Sequence, residues 1–105
     1  MSQFRIVLVT TSGVEEAERL ANLLIGAGLA PCVNIIPRVI SVYQWKNKMN
    51  RDEEALMVIK TSEASFEELR ELVEKNHSYD VPEIISMEIS QLSPAYAAFL
   101  GDFLK

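Results

Sequence analysis

The fold class follows from one stretch near the start of the chain, FRIVLVTTSGVEE (residues 4–16). It begins with the apolar run 6–9, which predicts a strand that is apolar on both faces. Ser12 and Glu15 then have the spacing of a capping box, in which each side chain satisfies a free amide at a helix start. The stretch therefore predicts a strand followed at once by a helix, which we expect to end near Ala27.

The rest of the chain continues the alternation of strands and helices. The predicted elements are, in order, extended segments at 31–36 and 39–45, a hairpin tip at 46–52, a strand at 55–59, a helix after Ser65, a strand at 84–89 and a terminal helix from Pro94. Ser65 and Glu68 repeat the capping-box spacing. The order β-α-β-β-α-β plus a C-terminal helix predicts a ferredoxin-like α+β fold, with an antiparallel sheet and a long central hairpin. We expect a single domain over residues 1–105.

The predicted strands carry more apolar surface than one subunit can cover. An antiparallel sheet with helices on one face should be apolar on that face and polar on the other. The runs 6–9 and 55–59 are apolar on both faces, and 49% of the 105 residues are hydrophobic. Because the short C-terminal helix cannot cover the second face alone, we expect a homo-oligomer packed through its sheets.

Composition excludes several partners. The formal net charge of −5 repels phosphate backbones, so nucleic acid is not expected as a partner. No apolar run approaches the ~20 residues of a bilayer span, so no membrane partner is expected. The single cysteine, Cys32, cannot form an internal disulfide, and the first residues do not resemble a signal peptide. We therefore expect a cytoplasmic protein.

Three other functions found on this topology lack the residues that they need. An RNA-recognition domain would show aromatic residues on its central strands, but these strands are aliphatic. A Cu(I) chaperone would carry two thiols after the first strand, and the loop at 10–13 has none. An acylphosphatase-like enzyme would hold an anion at that loop with an arginine and an amide side chain. The loop contains neither, so only weak anion binding at the helix start is left.

The single histidine begins the segment HSYDVPEI (residues 77–84). His77, with Asn76 beside it and the carboxylates of Asp80 and Glu83 nearby, is a candidate ligand for Cu(II) or Zn(II), with the remaining ligands supplied by another subunit or by water. The structural alternative places His77 at a helix C-terminus, where it interacts with the helix dipole, and Glu83 in a salt bridge or a subunit contact. Cys32 is a weaker candidate ligand, since a buried free cysteine usually behaves as a small hydrophobic residue.

These segments resemble the CutA family of divalent-cation tolerance proteins. Residues 77–84 are similar to its His-Pro-Tyr-x-x-Pro-Glu-Ile segment, residues 30–37 to Ala-x-Cys-Val-Asn-Ile-x-Pro, and residues 41–45 to Ser-x-Tyr-x-Trp. The resemblance covers nearly the whole chain. It departs from the family at Ser78, where proline is usual, at Asn47, where glycine is usual, and at Asn76, where some relatives have a second histidine.

The resemblance implies a homotrimer similar to that of PII signalling proteins and a role in tolerance of copper and other divalent cations. It also implies copper binding near His77. The leading hypothesis is a non-enzymatic trimer that binds divalent metal ions, Cu(II) or another, without an organic cofactor. The alternative is a PII-like regulatory or scaffold trimer that binds a small molecule or a protein at its subunit clefts. The residues expected at such a cleft or interface are Tyr43, Trp45, Tyr79, Pro82 and Glu83, with Tyr43 and Trp45 favoured as interface anchors.

Overall fold

The structure, a computed structural model, describes residues 2–104 and contains a four-stranded antiparallel sheet with three helices. The elements are β1 (Phe4–Thr11), α1 (Val14–Gly26), β2 (Cys32–Trp45), β3 (Lys48–Ser62), α2 (Phe66–Asn76), β4 (Ile84–Glu88) and α3 (Pro94–Leu104). The strand order is β2-β3-β1-β4, and every neighbouring pair is antiparallel. This confirms the ferredoxin-like α+β fold with an added C-terminal helix.

The core lies between one face of the sheet and the apolar faces of α1 and α2. Val7 and Val9 of β1 alternate with less buried residues, and Met57 and Ile59 of β3 pair with them across the sheet. These four side chains are fully buried together with Leu20 and Leu24 of α1 and Leu69 and Val73 of α2. Because strand residues alternate between faces, this register turns the odd-numbered side chains of β1 and β3 toward the helices.

The outer face of the sheet keeps much of its apolar surface exposed. α3 packs against β3 and buries Leu100. Large apolar side chains nevertheless remain exposed on the strands and on α3, namely Ile36, Ile85, Met87, Phe99 and Phe103. This is the surface that the two-faced apolar strands predicted, and the homotrimer that would cover it stays a prediction.

The two predicted capping boxes are wrong in detail. The N-cap residue of α1 is Gly13, so Ser12 lies one residue too early for a capping box, and its amide and hydroxyl bond Glu16 instead of Glu15. Ser65 is the N-cap residue of α2 as expected, but its side chain caps no helix amide. Its hydroxyl instead accepts a hydrogen bond from the hydroxyl of Ser62.

The central hairpin is longer and more continuous than predicted. The polar run at 46–52 is not a loose tip, because the turn consists of Lys46 and Asn47, with φ angles of 52° and 64°, and β3 begins at Lys48. Positive φ at both central residues matches the right-handed twist of the flanking strands, and asparagine tolerates it well. Pro37 does not end the strand, since β2 continues past it with a shift in register between Ile36 and Val39.

Truncation of a core residue tests the packing of α1 on the sheet. Leu24→Ala should lower the free energy of unfolding by about 2–5 kcal/mol, because it leaves a cavity beneath the helix. Leu23→Ala on the same helix is the matched control, since Leu23 is 38% exposed and Leu24 is fully buried. Urea denaturation at one fixed protein concentration measures both, and equal losses would contradict the placement of this helix.

Candidate functional site

A cavity of about 630 Å³ opens between the outer half of the hairpin and the loop that precedes β4. Its volume lies within the usual range for ligand pockets. The lining contains three aromatic residues and four carboxylates: Tyr43, Trp45 and Tyr79 with Asp52, Glu54, Asp80 and Glu83. We call this cavity the acidic cleft.

The acidic cleft has no cationic residue in its lining. No lysine, arginine or histidine is among its lining residues, and none of its four carboxylates takes part in a salt bridge of the described residues. Asp52 accepts a hydrogen bond from the hydroxyl of Tyr43, and Glu54 accepts one of 2.6 Å from that of Tyr79. Phenol donors leave the negative charge in place, so the cleft attracts cations.

Tyr79 is held in its protonated, donating form. Burial raises the pKa of its phenol, and the hydrogen bond to Glu54 and the charge of that carboxylate raise it further. The pKa of Tyr43 is raised in the same direction, chiefly by its hydrogen bond to Asp52. Both tyrosines therefore orient carboxylates of the hairpin at neutral pH.

His77 joins the end of β1 to the wall of the cleft. Its side chain is fully buried, with Nε2 2.8 Å from the carbonyl oxygen of Thr10 and Nδ1 3.0 Å from the amide nitrogen of Tyr79. Because a carbonyl only accepts, this network assigns the proton to Nε2, and Nδ1 accepts from the amide of Tyr79. Both ring nitrogens are thus occupied by hydrogen bonds within the chain.

Glu16 anchors the same loop from the first turns of α1. Its carboxylate accepts hydrogen bonds from the amide and hydroxyl of Ser12, both at 2.9 Å, and from the amide and hydroxyl of Ser78, at 2.7 and 3.0 Å. Burial alone raises the pKa of the carboxyl, but these hydrogen bonds outweigh it and lower the pKa to about 2. Glu16 is therefore ionised at all but strongly acidic pH.

The structure brings most of the predicted cleft residues together. Tyr43, Trp45, Tyr79 and Glu83 all line the acidic cleft, while Pro82 lies within the loop but does not line the cavity. Whether this cleft lies between subunits stays a prediction. Glu16, Asp52 and Glu54 are the residues that sequence reasoning missed. The i, i+2 spacing of Asp52 and Glu54 places both on one side of a strand, but the predicted hairpin tip at 46–52 includes Asp52, and the predicted strand begins only at 55.

The predicted metal ligands do not form a set within one chain. The described residues contain no group of three or more His, Cys, Asp or Glu side chains placed to hold a metal ion. His77 is buried with both nitrogens bonded, and the side-chain amide of Asn76 donates to the carbonyl of Leu72. Cys32 is half-buried on β2, in register with Lys60 of β3. For His77, Asn76 or Cys32 to bind a metal ion, other residues or another molecule would have to supply further ligands. Their metal role stays a prediction.

Comparison with known proteins supplies the wider context. Residues 5–102 match the family described as CutA1 divalent ion tolerance protein. The chain is 43% identical over 95 residues to the chloroplastic protein CutA of Arabidopsis thaliana, which covers 90% of this chain and 52% of that protein. It is 37% identical over 97 residues to the divalent-cation tolerance protein CutA of Thermus thermophilus, covering 92% and 94% respectively. The chain thus spans about half the length of the Arabidopsis relative.

Solved structures agree over almost the whole chain. CutA1 from Oryza sativa superposes with a TM-score of 0.94 at 40% identity, covering 97% of this chain and 94% of that chain. CutA from Archaeoglobus fulgidus, described as a periplasmic divalent cation tolerance protein, gives a TM-score of 0.94 at 30% identity and covers 97% and 99%.

Fold and site define a ferredoxin-like α+β chain with an acidic cleft beside a long hairpin. Within that class, the chain belongs to the CutA1 divalent ion tolerance family. The names of its relatives include chloroplastic and periplasmic proteins, so the cytoplasmic location stays a prediction. None of the described helices has the length and apolar character needed to cross a membrane.

Replacing Glu16 by glutamine should remove a pH-dependent part of the free energy of unfolding. Because folding lowers the pKa of this carboxyl from 4.5 to about 2, its ionised form stabilises the folded chain above the unfolded pKa. That stabilisation, no more than about 3 kcal/mol, is lost as the pH falls from about 5 toward 2. Urea denaturation of wild type and Glu16→Gln between pH 7 and 3 measures the difference. Glu15→Gln is the control, and parallel pH profiles for wild type and Glu16→Gln would contradict the assignment.

Proposed function

We propose that this chain is a non-enzymatic subunit of a homotrimer that binds divalent cations in the acidic cleft and thereby contributes to tolerance of metal ions. One observation carries the proposal: four carboxylates line a single cavity, and no cationic side chain is among its lining residues. Membership of the divalent ion tolerance family supports the same class of ligand.

The donor set favours particular cations. Carboxylate oxygens suit Mg²⁺, Ca²⁺ and Mn²⁺, whereas Cu²⁺ and Zn²⁺ bind well to imidazole. The one imidazole of the chain is buried and bonded through both nitrogens. The carboxylates line a wide cavity and do not converge on one point in the described chain, so we expect water or a neighbouring subunit to complete the coordination.

Two features support the trimer. The outer face of the sheet leaves apolar side chains exposed, and the hairpin extends beyond β1 as a two-stranded ribbon. Ile40, Val42 and Met49 on that ribbon are 48%, 63% and 74% exposed. A two-stranded ribbon is at best marginally stable alone in water, so contacts with other copies of the chain would support it.

The proposal of a binding rather than a catalytic role rests on the tyrosines of the cleft and on His77 beside it. His77 has no free nitrogen to act as a general base, and the tyrosines beside the carboxylates are held protonated. The arrangement suits electrostatic attraction of a cation rather than proton transfer.

Calorimetric titration of Mn²⁺, Zn²⁺ and Cu²⁺ into the purified protein tests the cation site. Asp80→Asn combined with Glu83→Gln should weaken binding at least about tenfold, because each lost charge removes about 1 kcal/mol or more of attraction. Glu15→Gln combined with Glu18→Gln removes the same charge from the outside of α1 and should leave the affinity unchanged.

A His77→Gln variant separates the cleft from the histidine as the cation site. With the fold verified by circular dichroism, this variant should still bind cations, because His77 is not among the residues that line the cleft. Loss of binding in folded His77→Gln, with unchanged binding in the Asp80 and Glu83 double variant, would contradict the cleft site and return the ligand role to His77.

The oligomer is tested by light scattering at low protein concentration. The wild type should have the mass of three 11.8 kDa chains. Ile85→Lys should favour monomers, because it places a charge on the exposed apolar face of the sheet. Leu23→Lys, on the outside of α1, should leave the trimer intact. A monomeric wild type would contradict the proposed assembly.

A further inference from the structure

We infer that Glu16 is a positioning residue of the acidic cleft: through Ser78 it holds the loop that carries Asp80 and Glu83. This inference rests on the proposed cation site, because it assigns Glu16 a role in forming one wall of that site. Glu16 itself is not among the residues that line the cleft.

The contact between Glu16 and Ser78 joins α1 to a distant part of the chain. The amide of Ser78 donates to one carboxylate oxygen at 2.7 Å, and its hydroxyl donates to the other at 3.0 Å, across a separation of 62 residues. Charge-assisted bonds of this kind are about twice as strong as neutral ones. Ser78 therefore binds the carboxylate through both of its donors, and the start of the loop is tied to α1.

The other partners of Glu16 do not replace this contact. Ser12 supplies two further donors, but it belongs to the turn before α1 and does not reach the loop. The guanidinium of Arg19 lies 3.7 Å from the carboxylate and donates to the carbonyl of Asn76. This contact ties α1 to the end of α2, not to the loop. Nδ1 of His77 is also 3.7 Å from the carboxylate, but it accepts a hydrogen bond from the amide of Tyr79. Among the hydrogen bonds of Glu16, only those from Ser78 connect it directly to the loop.

The position of the loop decides the shape of the cleft. Residues 78–83 form no helix or strand, and β4 begins only at Ile84. Three contacts hold the start of this segment: the tie at Ser78, the bond from the amide of Tyr79 to His77 and the bond from the hydroxyl of Tyr79 to Glu54. Asp80 and Glu83 follow in the chain, so their distance from Asp52 and Glu54 across the cavity depends on these anchors. A carboxylate set that binds a cation needs such fixed spacing.

The backbone of His77 is compatible with proline, which lacks both donors, as the next residue. His77 has φ −84° and ψ 147°, the extended geometry preferred before proline. Proline at position 78 would therefore fit the backbone of His77, restrict the loop through its own ring, and remove the amide and hydroxyl that Glu16 binds. Ser78→Pro thus disconnects Glu16 from the loop while leaving the carboxylate in place.

The first experiment measures Mn²⁺ affinity by calorimetry in folded Glu16→Gln. We expect affinity about tenfold weaker than wild type, the lower end of the loss caused by removing an outer support of a metal site. Glu15→Gln, one residue away and exposed, is the matched control and should bind like the wild type. Equal affinity in Glu16→Gln and Glu15→Gln would overturn the positioning role.

The second experiment repeats the comparison in the Ser78→Pro background. There Glu16 no longer touches the loop, so Glu16→Gln should change the affinity less than about twofold, as expected for sites without shared contacts. A tenfold loss in both backgrounds would overturn the proposal, since Glu16 would then act by a route other than Ser78.

Hydrogen exchange of the amides of Ser78 and Tyr79 gives a readout independent of any cation. Glu16→Gln should accelerate their exchange, and Glu15→Gln should not. If the wild type binds no cation, the proposed function fails, but hydrogen exchange still tests whether Glu16 holds the loop through Ser78. Unchanged exchange in Glu16→Gln would overturn that role. Faster exchange would support the hold on the loop whatever ligand the cleft takes.

Discussion

The pairing of β1 with β3 is the constraint on which the rest of the structure depends. Its register places Val7 opposite Ile59 and ends with Thr11 opposite Ala55. Because β1 stops there while β3 extends back to Lys48, the hairpin leaves the sheet from Glu54 outward without support from β1. The acidic cleft opens at that point, with Thr10 at its base and the loop before β4 as its other wall. The same pairing thus forms the core and exposes the carboxylates.

The two groups of carboxylates in this region differ in how their charge is stabilised. Glu16 is nearly buried and receives four hydrogen bonds from Ser12 and Ser78, so its charge is satisfied within the chain. Asp52 and Glu54 receive only phenol donors and face a cavity with no cationic lining residue. The donors around Glu16 stabilise its charge and join parts of the fold. The charges of Asp52 and Glu54 instead leave a negative electrostatic potential in the cleft.

Much of the fold could be predicted from local patterns, and the errors have physical causes. Apolar runs and turn residues were sufficient to predict every element, because hydrophobic periodicity reports local geometry. The first capping box failed because Gly13, with no side chain, became the N-cap residue and the partner of Ser12 is Glu16. The second failed because the hydroxyl of Ser65 bonds that of Ser62 and caps no helix amide. The hairpin tip was predicted too long because the pairing of residues 48–52 with β2 depends on register, which polar composition does not reveal.

The sequence by itself determined the family, the order of the elements and the excess of apolar strand surface, since all three are properties of residues close together in the chain. Only the tertiary structure decided the hydrogen bonds of His77 and the location of the carboxylates. A histidine followed by acids suggests a metal ligand, but the fold brings the carbonyl of Thr10 to one ring nitrogen and the amide of Tyr79 to the other. Likewise, Glu16 and Ser78 meet only because the sheet places α1 beside the loop, a contact across 62 residues that no local pattern encodes.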